Sequence, residues 1–306
     1  MRHFIHLVDF TTSELANLLD LAAKLKADLL RGLRPALLPG KVLGLIFEKP
    51  SLRTRVSFEA AMAQVGGSSI FLSSTDGPID ARESIPDQAR TLSQFVDALV
   101  LRTFAHKTIE EFAEFASVPV INGLSDYNHP CQALADVLTI QEAFGDLHGR
   151  TVTFVGDGNN VARSLAIACG RFGMNFILAA PKDYGFPEQF LATFRENFDG
   201  KTPVHITNPA EAVSSADVIY TDVWTSMGQE AESKARTEAF QGFQVDETLM
   251  AKAAPHAKFL HCLPAHRGEE VSAGVADGPQ SLIFAQAGNR MHAQKAILVS
   301  LLGGKI

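Results

Sequence analysis

Short apolar runs alternate along this chain with stretches whose apolar residues recur at helical spacing. Thr11 and Glu14 carry the pattern of a capping box, and Leu15, Leu18, Leu19, Ala22, Leu25 and Leu29 then recur every three or four residues, which predicts a first amphipathic helix. Val42–Phe47 reads as a buried strand that Pro50 ends. Ser51 is a good N-cap for the next helix, whose core face is Phe58, Ala61, Met62 and Val65 before Gly66 and Gly67 stop it. Strands follow at 69–72, 98–101 and 118–121, with helices at about 84–95, 108–116 and 133–144. Beyond Gly149 and Arg150 the alternation resumes. Strands read at 151–155, 176–180, 204–206, 218–221 and 258–260, a helix runs from the Asn159-Asn160 turn through Cys169, and a last helix spans about 291–302.

Strand and helix alternating in this way predict an α/β chain built as two doubly wound parallel-sheet domains joined by linking helices. At 306 residues the chain is long for one core. The expected division is 1–140 and 141–288, with a C-terminal helix at 289–306 packing back on the first domain. In such sheets ligands collect at the carboxyl ends of the strands. Arg53, Arg102 and His129 all lie just past such ends, so three separate segments can converge on one pocket.

Composition narrows the chemistry. A formal charge of -7 argues against nucleic acid or an anionic membrane as partner, because either calls for a basic face. Any anionic ligand must then be held by a local cluster of positive groups. The three cysteines, Cys131, Cys169 and Cys262, form no Cys-x-x-Cys pair, so neither a disulfide framework nor a zinc site is signalled. Residues 1–9 lack the apolar core of a signal peptide and no run approaches membrane-spanning length, which predicts a cytoplasmic protein.

The helix start at Ser51-Leu52-Arg53-Thr54-Arg55 aims backbone donors, the positive end of a helix dipole, two hydroxyls and two guanidiniums at one spot. That reads as an oxyanion site for phosphate. Gly156-Asp157-Gly158-Asn159-Asn160-Val161 invites a dinucleotide-binding reading, which fails on Val161 at the third glycine position. Paired asparagines suit a zwitterion better, since amides can donate to a carboxylate and accept from an ammonium. Asp222, at another strand end, needs a cationic partner if buried, and a substrate amino group would serve. Trp224, the chain's only tryptophan, reads as core filling. His261-Cys262-Leu263-Pro264 closes the last strand, and Arg290 stands at the entry to the final helix.

These motifs carry a resemblance. Ser51-Leu52-Arg53-Thr54-Arg55 resembles the carbamoyl-phosphate motif Ser-Thr-Arg-Thr-Arg of the aspartate and ornithine carbamoyltransferases, and Leu52 can still serve through its backbone N–H. His261-Cys262-Leu263-Pro264 and the Ser226-Met227-Gly228 loop resemble the ornithine enzymes in particular. The resemblance spans essentially the whole chain and implies carbamoyl transfer from carbamoyl phosphate to the δ-amine of ornithine, giving citrulline and phosphate, without metal or organic cofactor.

It further implies that Ser51, Leu52, Arg53, Thr54, Arg102 and Arg290 hold the phosphate, while Thr54, Arg102 and His129 polarise the carbamoyl oxygen. Gln132 and the Leu263 carbonyl would fix the carbamoyl amide, and Cys262 would lie beside the attacking nitrogen. Asn160, Asp222, Ser226 and Met227 would hold ornithine. A homotrimer is implied, in which loop 73–83 of one subunit completes a neighbour's site. Two departures stand out: Asp76-Gly77-Pro78-Ile79 replaces the usual glutamine of that loop, and Ala285-Gln286-Ala287-Gly288-Asn289 lacks the acidic residues common before the last helix. Competing readings are carbamoyl transfer to another amine such as putrescine or an acylated ornithine, a nicotinamide-dependent dehydrogenase, and a non-catalytic amino-acid-binding relative.

Overall fold

The computed structural model describes residues 2–73, 79, 82–225 and 230–304. It divides into two units, Met1–Leu138 with Gly288–Ile306, and Thr139–Ala287. In the first, the strands are β1 (Val42–Phe47), β2 (Ser68–Ser73), β3 (Ala98–Arg102) and β4 (Val120–Leu124). Its helices are α1 (Thr12–Leu30), α2 (Leu52–Gln64), α3 (Ile85–Leu92) and α4 (His106–Phe115). Helix α5 (Pro130–Phe144) begins in this unit and ends in the second.

The second unit holds β5 (Thr151–Val155), β6 (Asn175–Ala179), β7 (Val204–Ile206), β8 (Val218–Thr221) and β9 (Lys258–His261). Between them run α6 (Asn160–Arg171), α7 (Glu188–Asn197), α8 (Pro209–Ala212), α9 (Ser233–Ala239), α10 (Glu247–Met250) and α11 (Ala273–Ala276). Helix α12 (Ile283–Leu301) starts here and finishes in the first unit.

Both sheets are parallel throughout, as the alternation predicts. Their orders are β2-β1-β3-β4 and β7-β6-β5-β8-β9. The chain leaves β1 for β2 on one side and returns with β3 on the other, so the direction of winding reverses between β1 and β3. The second sheet reverses in the same way between β5 and β8. Ligands of open α/β sheets bind in the crevice at such a reversal, beyond the carboxyl ends of the strands. Each unit therefore offers one such crevice, at residues 48–53 with 102–105 in the first and at 156–160 with 222–225 in the second.

Local chemistry explains where the elements begin. Thr11 and Glu14 form the full capping box of α1, and the Ser51 hydroxyl accepts the Thr54 N–H at 3.4 Å to open α2. Burial supplies the cores: Leu43, Leu45, Phe58 and Met62 are inaccessible in the first unit, and Trp224 packs with Phe240 and Phe243 in the second, the core role its sequence suggests.

Several boundaries differ from the sequence reading. Helix α3 stops at Leu92 instead of about 95, because the Ser93 hydroxyl turns back onto the Ala89 carbonyl at 2.6 Å. Helix α4 starts earlier, at His106, since the Asp126 carboxylate accepts its N–H at 2.8 Å and caps the helix from a distant loop. Strand β4 begins at Val120 because the N-terminal segment pairs beside it, the Phe4 N–H donating to the Val120 carbonyl and the Asn122 N–H to the Phe4 carbonyl, both at 2.8 Å. The last helix begins at Ile283, so Gly288 and Asn289 are interior to it and Arg290 is no longer at its entry.

Candidate active site

In the first unit the reversal between β1 and β3 gathers cations. Arg102 ends β3 with 6% of its surface exposed, and Arg290 projects from α12 with 4% exposed. Both donate to one hydroxyl: Arg102 Nη1 reaches Thr54 Oγ1 at 3.4 Å and Arg290 Nη2 reaches it at 3.1 Å. Thr54 sits in the first turn of α2, so the helix start, the strand end and the last helix of this unit meet at one side chain. Arg290 Nη1 also donates to Gln132 Oε1 at 3.0 Å, and Gln132 Nε2 donates to Asp136 Oδ1 at 2.8 Å, one helical turn on in α5. Both ends of the Gln132 amide are thus fixed.

His129 immediately precedes α5 and is buried. Burial, then the guanidiniums of Arg290, Arg102 and Arg53, hold its imidazole well below the ordinary histidine range. The field at this ring is therefore positive, and the ring is neutral and able to donate a hydrogen bond at physiological pH. Cys131 is different. Burial pushes its thiol up to about 12, and the thiol donates to the Asn122 carbonyl at 3.4 Å, so it behaves as a core hydrophobe.

Arg55 does not share the cluster that the sequence places it in. Its Nε pairs with Glu59 at 3.1 Å, one turn along α2, and its guanidinium lies 3.8 Å from the Phe71 ring centre. Helical periodicity explains this: Arg53 and Arg55 are two residues apart and so face different ways. Leu52 points outward and is well exposed, leaving only its backbone toward the helix start.

In the second unit the reversal between β5 and β8 builds a different surface. Asp222, just past β8, is buried and accepts from three neutral donors: Asn159 Nδ2 at 3.0 Å, the Cys262 thiol at 3.0 Å and the Val223 N–H at 2.9 Å. These three hydrogen bonds offset part of the desolvation cost of the buried carboxylate. Asn159, which the sequence pairs with Asn160 as a substrate group, is the N-cap of α6 and takes the Val161 and Ala162 N–H groups at 3.0 Å each. Asn160 opens α6, half-buried, its side-chain oxygen 3.0 Å from the Val161 nitrogen. Gly158 makes a close approach, since a Cβ there would come within 2.9 Å of the Gly185 backbone. Gly158 thus serves chain packing and Gly156 a backbone with φ +150°, which accounts for both glycines without a dinucleotide.

Cys262 and Leu263 follow β9. Leu263 has φ +60°, a conformation L residues rarely adopt, and its N–H donates to His261 Nδ1 at 2.9 Å. His261 Nε2 in turn faces Glu270 Oε1 at 3.2 Å, both side chains fully buried. The turn that presents Cys262 and the Leu263 carbonyl is thereby held from behind.

Two further locks escaped sequence reasoning. Arg236 on α9 donates to Asp157 at 2.8 Å and to the Trp224 carbonyl at 3.1 Å, tying the turn after β5 to the loop after β8. Burial raises the Asp157 carboxyl even so, with Arg236 opposing the shift. Gln286 accepts the His261 N–H at 2.9 Å and donates to the Tyr220 hydroxyl at 3.0 Å. The sequence shows Gln286 only as a missing acid. Ser226, Met227 and Pro78, with most of loop 73–83, lie outside the described residues.

Comparison with known proteins agrees with this geometry. Residues 2–142 match the family described as aspartate/ornithine carbamoyltransferase, carbamoyl-P binding domain, and residues 148–301 match its Asp/Orn binding domain. The chain is 52% identical to an ornithine carbamoyltransferase of Anoxybacillus flavithermus over 98% of this chain and 96% of that protein. It is 48% identical to the anabolic ornithine carbamoyltransferase of Pyrococcus furiosus over 99% of this chain and 97% of that one. The solved structure of ornithine carbamoyltransferase from Pyrococcus furiosus superposes with a TM-score of 0.95 at 47% identity, covering 100% of this chain and 98% of that one. The chain belongs to the aspartate/ornithine carbamoyltransferase family.

Proposed function

We propose that this enzyme transfers the carbamoyl group of carbamoyl phosphate to the δ-amine of L-ornithine, giving L-citrulline and phosphate. The observation that carries the reading is the pair of buried guanidiniums, Arg102 and Arg290, meeting at Thr54 Oγ1 beside a histidine that burial, and then their charge, holds neutral. Two buried cations on a hydroxyl and an amide oxygen are matched by a phosphate dianion, with the start of α2 and Arg53 adding donors.

The chemistry follows from those charges. The neutral amine of ornithine attacks the carbamoyl carbon, and negative charge grows on the carbamoyl oxygen. Arg102, Thr54 and the neutral His129 ring donate to that oxygen, while Gln132, fixed by Arg290 and Asp136, accepts from the carbamoyl amide. Collapse of the tetrahedral species breaks the carbon–oxygen bond to phosphate, which leaves with the electron pair and takes up the proton that the attacking nitrogen releases. Preorganised donors of this kind are worth roughly 100- to 1,000-fold in rate apiece.

Asp222 is assigned to the substrate's α-ammonium, with Asn160, Ser226 and Met227 as its companions around the amino-acid end. The Leu263 carbonyl and Cys262 are assigned to the carbamoyl amide and the attacking nitrogen, and Ser51 and the Leu52 N–H to the phosphate. The word anabolic in the name of the Pyrococcus furiosus relative supports a place in arginine biosynthesis, and a cytoplasmic location is proposed from the sequence alone. No helix among the described residues is long and apolar enough to cross a membrane. A homotrimer is proposed from the family resemblance, with loop 73–83 completing a neighbouring site.

A colour assay for ureido products tests the acceptor. Purified protein with carbamoyl phosphate and a panel of ornithine, putrescine, N-acetylornithine and aspartate should turn over ornithine fastest by at least tenfold; faster turnover of any other amine overturns the assignment.

A further inference from the structure

A second constellation of titratable side chains lies in the first unit. His6 from the N-terminal segment and His106 from the start of α4 face each other with Nε2 atoms 3.1 Å apart. Glu110, one turn along α4, places Oε1 3.7 Å from His6 Nε2 and 3.8 Å from His106 Nε2. Ligands about 2.0 to 2.1 Å from a tetrahedral zinc ion lie about 3.3 Å from one another, so three such atoms at 3.1, 3.7 and 3.8 Å need only small shifts to share one ion.

The outer nitrogens of both rings are held. His6 Nδ1 lies 2.6 Å from the Asn128 side-chain amide, and His106 Nδ1 lies 2.7 Å from Ser125 Oγ. Metal-binding histidines are oriented by such contacts on the nitrogen away from the ion. A metal at Nε2 needs the proton on Nδ1, which Ser125 Oγ can accept from His106, and the Asn128 amide, turned over, offers its oxygen to His6. The two rings are partly or mostly buried while Glu110 is half exposed, which leaves a path from solvent and room for a water as fourth ligand.

We propose that His6, His106 and Glu110 form a binding site for a divalent transition-metal ion of the zinc, nickel or copper class, distinct from the carbamoyl-transfer site. Two imidazoles and one carboxylate select this class over magnesium or calcium, which prefer oxygen ligands throughout. The ion would add a clip between the N-terminal segment and α4, which already pack together through Ile5, Ile109 and Phe112.

Zinc alone, titrated calorimetrically into metal-free enzyme, tests this, with melting temperature as a second readout. A second cluster, Asp222 with His261 and Cys262, offers a competing thiolate site, so the titration is repeated on Cys262→Ser. One equivalent should bind to the parent and to Cys262→Ser with a rise in melting temperature, and should be lost in His106→Gln. Glu110→Gln, a near-isosteric change on a half-exposed side chain, should weaken binding about tenfold or more and serves if His106→Gln fails to fold. Cobalt in place of zinc should give a tetrahedral visible spectrum without a thiolate charge-transfer band. Binding that survives His106→Gln and Glu110→Gln, vanishes in Cys262→Ser, or is absent from the parent overturns the proposal.

Discussion

The two sheet reversals use the same topology to hold opposite charges. At the first, Arg102 and Arg290 donate to the Thr54 hydroxyl and the Gln132 amide, neutral acceptors that orient the guanidiniums without cancelling them. At the second, Asp222 accepts from an amide, a thiol and a peptide N–H, neutral donors that orient a carboxylate without cancelling it. A third case in the same fold shows the alternative. Asp157 and Arg236 meet directly at 2.8 Å and neutralise each other, and they lock the Trp224 loop. Where the fold needs a brace it pairs opposite charges, and where it needs a site it surrounds a charge with dipoles. This is the arrangement that the proposed function uses, with phosphate assigned to the first unit and the substrate ammonium to the second.

The largest effect should come from removing a cation. Arg102→Ala should lower kcat by about 100-fold or more with the fold intact by circular dichroism, because charge growing on the carbamoyl oxygen then goes uncompensated. A folded variant with near-normal kcat would remove Arg102 from the site. Next comes the anionic side. A hydrogen bond to a charged group is worth about 1.5 to 3 kcal/mol, so Asp222→Asn should lower kcat/KM for ornithine by about 10- to 100-fold. Its KM for carbamoyl phosphate should stay within about twofold, since a missing carboxylate leaves the cationic cluster intact. Equal losses for both substrates would dissolve the distinction drawn between the units.

A smaller effect reports the field at His129 through stability. Its folded pKa is depressed, so below pH about 6.5 the unfolded chain takes up a proton that the folded ring refuses. This contribution is fully present above the unfolded pKa and is lost as pH falls below it, by up to about 1.4 kcal/mol per pH unit. His129→Gln should therefore lose less stability than the parent between pH 7 and pH 5.5 in urea melts. Parallel curves would mean that burial and the neighbouring guanidiniums do not hold the folded ring neutral.

Much of this was legible before any coordinates. Strands β1, β5, β7 and β8 fall where their apolar runs end, and the helix start at Ser51 is set by local capping chemistry. The residues brought to the cationic cluster, Thr54, Arg102, His129, Gln132 and Arg290, all stood at readable strand ends or in recognisable motifs, and it is the side-chain geometry that separates Arg53 from Arg55. What the sequence hid was non-local. Asp126 capping α4, Phe4 pairing beside β4, Arg236 reaching Asp157 and Gln286 reaching His261 all join residues far apart in the chain, with no periodicity or motif between them. The last helix starts earlier than the sequence reading, at Ile283, and holds Gly288 in its interior, where a glycine costs only about 1 kcal/mol.

The division of charge between the two reversals is tested most directly by binding, with no turnover to complicate it. Carbamoyl phosphate, titrated calorimetrically without ornithine, should bind the parent and Asp222→Asn with affinities within about twofold, and should bind Arg102→Ala at least about tenfold more weakly. Binding that depends on Asp222 and is indifferent to Arg102 would contradict the account.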